Sequence, residues 1–184
     1  MRVRQGLKAL QLLFFPARWH HFSARYRAEA QSVAHRVRSL RALIGFLGSG
    51  KDIILVTRSA SGRVASLIAD EFGIRKLVCL GYPFRRPNEA IDPRRYAHLE
   101  NLQTPCLILQ GTRDTYGGRE IAARCRFARN TAIHWLDTDH DFSLSDQEWD
   151  RMLALIHEFI LAEENPANEL VSQTDGEPDP AASV

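Results

Sequence analysis

Three polar residues each stand directly after an apolar run that reads as a strand. Ser59 lies in Thr57-Arg58-Ser59-Ala60-Ser61-Gly62-Arg63, Asp114 in Gln110-Gly111-Thr112-Arg113-Asp114, and His140 in Asp137-Thr138-Asp139-His140-Asp141-Phe142. A serine at a sharp strand-to-helix turn holds its hydroxyl out of the sheet, at the N-terminus of the helix that follows. The backbone N–H of Ala60 would then point toward a developing oxyanion, and the helix dipole would favour that charge. An aspartate after a strand can accept from a histidine N–H and hold the ring in one tautomer. A histidine can take the proton of a hydroxyl and return it to a leaving group. Taken together, the three residue types suit acyl transfer, with Ser59 as nucleophile, His140 as base and Asp114 orienting the base.

Each motif also has a plainer reading. The usual elbow is G-x-S-x-G, and here Thr57 and Ser61 replace both glycines. Ser61 is small, but Thr57 is β-branched and crowds the turn. Alone, the segment reads equally as a strand–helix loop with serine caps, and Asp114 as a turn aspartate. His140 alone reads as a surface residue, with Asp137, Asp139 and Asp141 either raising its pKa or standing by. The combination says more. The order is serine, acid, histidine; Asp114 follows Ser59 by 55 residues and His140 follows Asp114 by 26. Each gap has room for one or two strand–helix units, which predicts that the three meet at one sheet edge.

The elements that must position them follow from periodicity. Leu7 to Phe15 reads as a buried strand stopped by Pro16. Ser23 offers an N-cap for a long helix whose stripe is Tyr26, Ala30, Val33, Val37, Leu40, Ile44 and Leu47, ended by Gly48 and Gly50. Asp52 to Val56 has the β-branched look of a parallel strand buried on both faces. A short helix through Val64, Leu67, Ile68 and Phe72 ends at Gly73. Leu77 to Leu80, Cys106 to Leu109 and Ala132 to Leu136 are further strands. Phe84 to Gln103 reads as a loop with a helical turn, and a helix is expected near Arg119 to Phe127. Ser145 and Glu148 have capping-box spacing, ahead of an apolar face of Trp149, Met152, Leu153, Ile156, Phe159 and Ile160. Strands alternating with helices imply an α/β fold, a doubly wound and mostly parallel sheet of about five strands. Chemistry in such sheets collects outside the carboxyl ends of the strands. Residues 1–162 read as one domain, and 163–184 as an acidic tail with little to bury and therefore disordered.

Composition bounds the partners. The 184 residues carry a formal net charge of +2, with 45% hydrophobic and 25% charged residues, ordinary values for a soluble domain. Nothing in that balance argues for nucleic acid. The charge is uneven: nine basic residues from Arg2 to Arg41 face the single Glu29. That segment is a solvated helix face or a contact surface for a protein partner. Cys79 and Cys106 fall in apolar runs, and three cysteines form neither a zinc motif nor a disulfide framework, which suits a reducing, cytoplasmic setting. No metal or cofactor is implied; Gly45 to Lys51 lacks P-loop spacing and precedes a strand. No apolar run spans a membrane. Basic Arg2, Arg4 and Lys8 before Ala9 to Phe15 faintly resemble a signal peptide, but Gln11 interrupts the run and bulky residues follow it. Among other candidates, His134 reads as a sheet residue, His20 and His21 as possible pocket residues, and His98 and His157 as surface positions. Cys125 has Arg124 and Arg126 beside it to lower its pKa, but no partner histidine, and reads as structural.

The motifs together resemble a known group. Thr57 to Ala65, Gly81-Tyr82-Pro83-Phe84, Pro105 with Gln110 to Asp114, and Asp139-His140-Asp141-Phe142 are similar to the KANL3/Tex30-like branch of the α/β-hydrolases. That branch shows a G-R-S-M-G-G-R elbow, a G-Y-P strand end, a Q-G-x-x-D acid loop and a D-H-x-F histidine loop. The likeness covers about Asp52 to Ile160 and reaches back to Phe14-Phe15-Pro16. It implies an α/β-hydrolase fold, Ser59, Asp114 and His140 as nucleophile, acid and base, and a small-molecule ester or thioester as substrate. Members of the branch begin with a strand and an H-G-x-G-like loop that supplies a second oxyanion N–H; this chain starts after that point. Either Met1 is not the natural start, or Leu7 to Phe15 takes that strand's place and the Pro16 to His21 loop supplies the donor. Loss of one such donor costs about 2.7–4 kcal/mol of transition-state stabilisation. The alternative is therefore a catalytically weak or inactive hydrolase-like module that binds protein, with the basic helix as its contact.

Overall fold

Four short apolar runs pair into one parallel sheet in the computed structural model, which describes residues 32–48 and 53–162. The strands are β1 (Ile54–Arg58), β2 (Lys76–Leu80), β3 (Cys106–Gly111) and β4 (Thr131–Leu136), side by side in the order β1-β2-β3-β4. Leu55 lies opposite Leu77, Val78 opposite Leu107, and Ile108 opposite Ile133. Parallel pairing demands a crossover between neighbours. Helix α2 (Ala60–Ser66) follows β1, and α3 (Asp146–Leu161) follows β4. The strand expected at Leu7 to Phe15, the histidines 20 and 21 and the tail beyond 162 lie outside the described residues.

Alternation along each strand divides the core in two. Leu77, Cys79, Cys106 and Ile108 face one side, where helix α1 (Val33–Leu47) and the end of α2 cover them through Ile44, Ala65, Ile68 and Ala69. Val78, Leu107 and Leu109 face the other, against Met152 of α3 and Phe142. Helices on both faces of a parallel sheet make a doubly wound α/β fold. The capping box of α3 is present, with Ser145 and Glu148 each closing on the other's backbone. Its C-terminus is held by Lys76, 2% exposed, whose ammonium donates to the carbonyls of Phe159 (2.7 Å), Ile160 (3.1 Å) and Ala162. A cation satisfying the last carbonyls of a helix also complements its dipole.

Several expectations change. Within the described residues helix α1 starts at Val33, capped by Ser32, whose hydroxyl accepts from His35 N–H at 3.1 Å; the cap expected at Ser23 and the stripe positions Tyr26 and Ala30 lie outside the described residues. The helix expected over Arg119 to Phe127 is one 3₁₀ turn, Arg119–Ile121, and a run of turns. Ile121 and Cys125 do share one buried face, but the N–H of Ala128 bonds Leu99 O at 2.9 Å, which draws the chain away before the helix can extend. Cys125 is buried, and burial pushes its thiol up, not down as its arginine neighbours suggested. His98 is not a surface residue: its Nε2 lies 2.8 Å from the Ser66 hydroxyl, and burial, then the Arg63 charge, hold its pKa down. On α3, Trp149 and Leu153 are exposed, and Leu155 takes their place in the core beside Ile156 and Phe159.

Two details fix the loops that matter later. At Gly111 a Cβ would stand 2.6 Å from Thr138 O and 2.9 Å from Asp139 O, so only glycine lets the chain after β4 cross the end of β3. Asp70 ties the turn after α2 to the approach of β3. Burial alone would raise its pKa, but donation from Gln103 N–H and from the Thr104 N–H and hydroxyl outweighs that and lowers it. A depressed carboxylate contributes stability above its unfolded pKa that is lost as pH falls through the folded value. The stability gap between wild type and Asp70→Asn should therefore be widest at neutral pH and shrink below about pH 4, the ordinary range of aspartate. Urea titrations at several pH values measure it, and a gap independent of pH removes this account. Gly111→Ala should lose about 1–3 kcal/mol, the usual magnitude for forced overpacking. An unchanged urea midpoint would contradict the close approach.

Candidate active site

The carboxyl ends of β1, β3 and β4 carry the three residues singled out by sequence, and backbone bonds that continue the sheet ladder pin their loops. Ser59 N–H donates to Leu80 O (2.9 Å), Gly81 N–H to Leu109 O (2.9 Å), Thr112 N–H to Leu136 O (2.8 Å) and Arg113 N–H to Thr138 O (3.1 Å). Rigid backbone at the rim is what allows side chains from distant segments to keep fixed spacing.

Ser59 sits between β1 and α2 at φ 54° and ψ −125°. An L residue at positive φ is strained, and the strained turn lifts its hydroxyl above the sheet edge. Thr57 does not crowd this turn. Its hydroxyl points to the neighbouring strand and donates to Val78 O at 2.9 Å. The close packing of helix on strand falls to Gly62 instead, where a Cβ would meet Cys79 Sγ at 3.1 Å and Thr57 Oγ1 at 3.3 Å. Ala60 is the first residue of α2, so its N–H has no intrahelical acceptor.

The three side chains meet. His140 Nδ1 lies 2.9 Å from Asp114 Oδ2, and His140 Nε2 lies 3.0 Å from Ser59 Oγ. An ionised carboxylate can only accept, so Nδ1 carries the ring proton and Nε2 of the neutral ring accepts from the serine hydroxyl. Asp114 has a fully buried side chain. Its other oxygen accepts from Tyr116 N–H at 2.7 Å, and Oδ2 also accepts from Gln110 Nε2 at 2.9 Å. The Tyr116 ring stacks on the imidazole, centroids 4.2 Å apart.

The acids around His140 each have another task. Asp139 accepts from Asp141 N–H (3.0 Å) and shapes the turn, and Asp137 pairs with Arg113. Asp141 faces Arg58 at 3.4 Å, and the same guanidinium donates to His140 O at 3.2 Å. Sequence reasoning named Arg58, Gln110 and Gly81 within motifs but gave none of them a role at the site, and it did not name Tyr116 at all. Gly81 (φ 66°) borders the site: a Cβ there would stand 3.3 Å from His140 Nδ1 and 3.4 Å from Asp114 Oδ2. Gln110 had a readable signal: a long polar residue ending an otherwise apolar strand must find partners. Phe84 and Leu102, at either end of the loop read from Phe84 to Gln103, are buried in the main core. Among the described residues no group of histidine, cysteine and carboxylate side chains could hold a metal ion.

The parallel strand order and helices on both faces define a doubly wound α/β fold, with three polar residues meeting at one rim. The model of the alpha/beta hydrolase domain family matches residues 15–162, and the chain belongs to that family. Solved structures agree on the fold. A monoacylglycerol lipase from Paleococcus ferrophilus is 14% identical, with TM-score 0.55 over 71% of this chain and 76% of that one. A hydrolase from Oleispira antarctica is 14% identical, with TM-score 0.57 over 78% and 76%. The esterase domain of a Rhodothermus marinus protein is 18% identical, with TM-score 0.51 over 67% and 68%. Among the described residues no helix is long and apolar enough to cross a membrane.

Gly81→Ala should disturb both neighbours at once. The strained φ and the new Cβ together should lower stability by about 1–2 kcal/mol. The His140 ring resonances should shift in NMR spectra of the folded variant; identical ring shifts would remove Gly81 from the site.

Proposed function

We propose that this chain is a serine hydrolase acting on a small-molecule ester or thioester, with Ser59, His140 and Asp114 as its catalytic triad. The observation that supports it most is the continuous relay from Asp114 Oδ2 through both ring nitrogens of His140 to Ser59 Oγ, at 2.9 and 3.0 Å. Ser59 Oγ attacks the acyl carbon while His140 Nε2 takes its proton. The carbonyl oxygen becomes an oxyanion held by the Ala60 N–H at the start of α2. Collapse of that intermediate expels an alkoxide or thiolate, which takes the proton from His140 and leaves an acyl-serine. Water, deprotonated by the same imidazole, then releases the acid and restores Ser59. Asp114 stays ionised throughout and stabilises the imidazolium.

The choice of ester or thioester draws on two neighbours whose names are a lipase and an esterase. Membership of the KANL3/Tex30-like branch, a cytoplasmic setting that suits three free cysteines, and a domain boundary near residue 162 belong to the same reading.

A fluorophosphonate probe tests it. Wild type should be labelled at Ser59 and Ser59→Ala should not. Asp114→Asn should slow labelling by about 10⁴-fold, as expected when the histidine tautomer is wrong. Absence of label on wild type, or equal label on the Ser59 variant, would sink the enzyme and favour a hydrolase-like protein-binding module.

A further inference from the structure

Gln110 is fully buried, and its amide has one orientation that satisfies its surroundings. Oε1 accepts from Tyr82 N–H at 2.8 Å, while Nε2 donates to Gly117 O at 2.8 Å and to Asp114 Oδ2 at 2.9 Å. The reverse orientation would set an amide oxygen against a carboxylate and an N–H against an N–H. The oxygen that Gln110 reaches on Asp114 is the one His140 Nδ1 also reaches. Two donors therefore divide the charge of a single carboxylate oxygen.

We propose that Gln110 is a positioning residue that moderates the base, an inference that rests on the hydrolase reading above. A donor held on a carboxylate oxygen withdraws negative charge from it. Whatever charge Gln110 draws from Oδ2 is unavailable to stabilise an imidazolium at the same oxygen. The ring is thereby kept neutral, and so able to accept the Ser59 proton, to lower pH than Asp114 alone would allow. Gln110 also accepts from the Tyr82 N–H, next to Gly81, where an added Cβ would crowd the imidazole, so the same side chain also fixes the chain that borders the ring.

The other charged and titratable groups at the ring are few. Ser59 and Arg58 approach from the end of β1, Tyr116 stacks from the acid loop, and Asp139 and Asp141 flank the histidine in its own turn. Gln110→Met replaces none of these groups; it removes the amide, and with it the bonds to Tyr82 N–H and Gly117 O as well as the one to Asp114.

The test is the rate of fluorophosphonate labelling against pH for wild type and Gln110→Met. The acid limb should move to higher pH by about one unit, the scale of a lost hydrogen bond to a charged group, whatever the change in plateau rate. A purely structural role would lower the rate at every pH without moving the limb. A limb that stays in place, or moves to lower pH, overturns the proposal. Should Gln110→Met fail to fold, wild type itself decides. The Gln110 side-chain amide protons should follow the His140 ring through the same midpoint in an NMR titration, and amide resonances indifferent to that titration would overturn the proposal. Should wild type take no label, the hydrolase reading fails alone, and the NMR titration still decides on Gln110.

Discussion

A carboxylate hidden from solvent stays charged only where protein donors replace its water. Asp114 meets that condition with the Tyr116 N–H and the Gln110 amide from its own stretch of chain and with the imidazole of His140 from the loop after β4. Much of the local architecture is the means of delivering those donors. Gly111 lets the chain after β4 pass over the end of β3, which carries His140 to the aspartate. Gly81 clears the space in which ring and carboxylate meet. Tyr116 reaches back within the acid loop itself, so its N–H bond also closes that loop.

The apolar and β-branched runs made the sheet legible. Strands β2 and β3 fall where continuous apolar runs stood between turn residues, because a strand buried on both faces leaves little other composition. Strand β1, expected to be buried on both faces, is an edge strand with Val56 exposed, and β4, the other edge, mixes Thr131, His134 and Trp135 into its run. The meeting of Ser59, Asp114 and His140 was legible for the same reason: in a parallel sheet, loops that follow strands share one edge. What stayed hidden depends on contacts between segments far apart in the chain. His98 reads as a surface residue until Ser66 is brought beside it. The Arg119–Phe127 stretch has helical composition, but Leu99 claims the Ala128 N–H and the helix is cut short. Trp149 and Leu153 show how wide an apolar stripe looks in sequence when the groove it fills is narrower.

The elbow shows why a motif is best read through its mechanics. Glycines around a nucleophile serve the approach of helix to strand, and the position that needs one depends on where the two backbones are nearest. Here that position is Gly62, packed on Cys79 and Thr57. Thr57 is tolerated because its hydroxyl bonds the carbonyl of the adjacent strand, and its methyl stays on a strand where β-branching is favoured.

The backbone of Ser59 has a bearing on descent as well as on geometry. Positive φ penalises every side chain that bears a Cβ, whereas glycine adopts it freely. Random substitution at this codon therefore has a downhill direction, toward glycine and greater stability, in any lineage that makes no use of the hydroxyl. Position 59 is thus a place where glycine would relieve the backbone and forfeit the only side-chain oxygen it offers to His140.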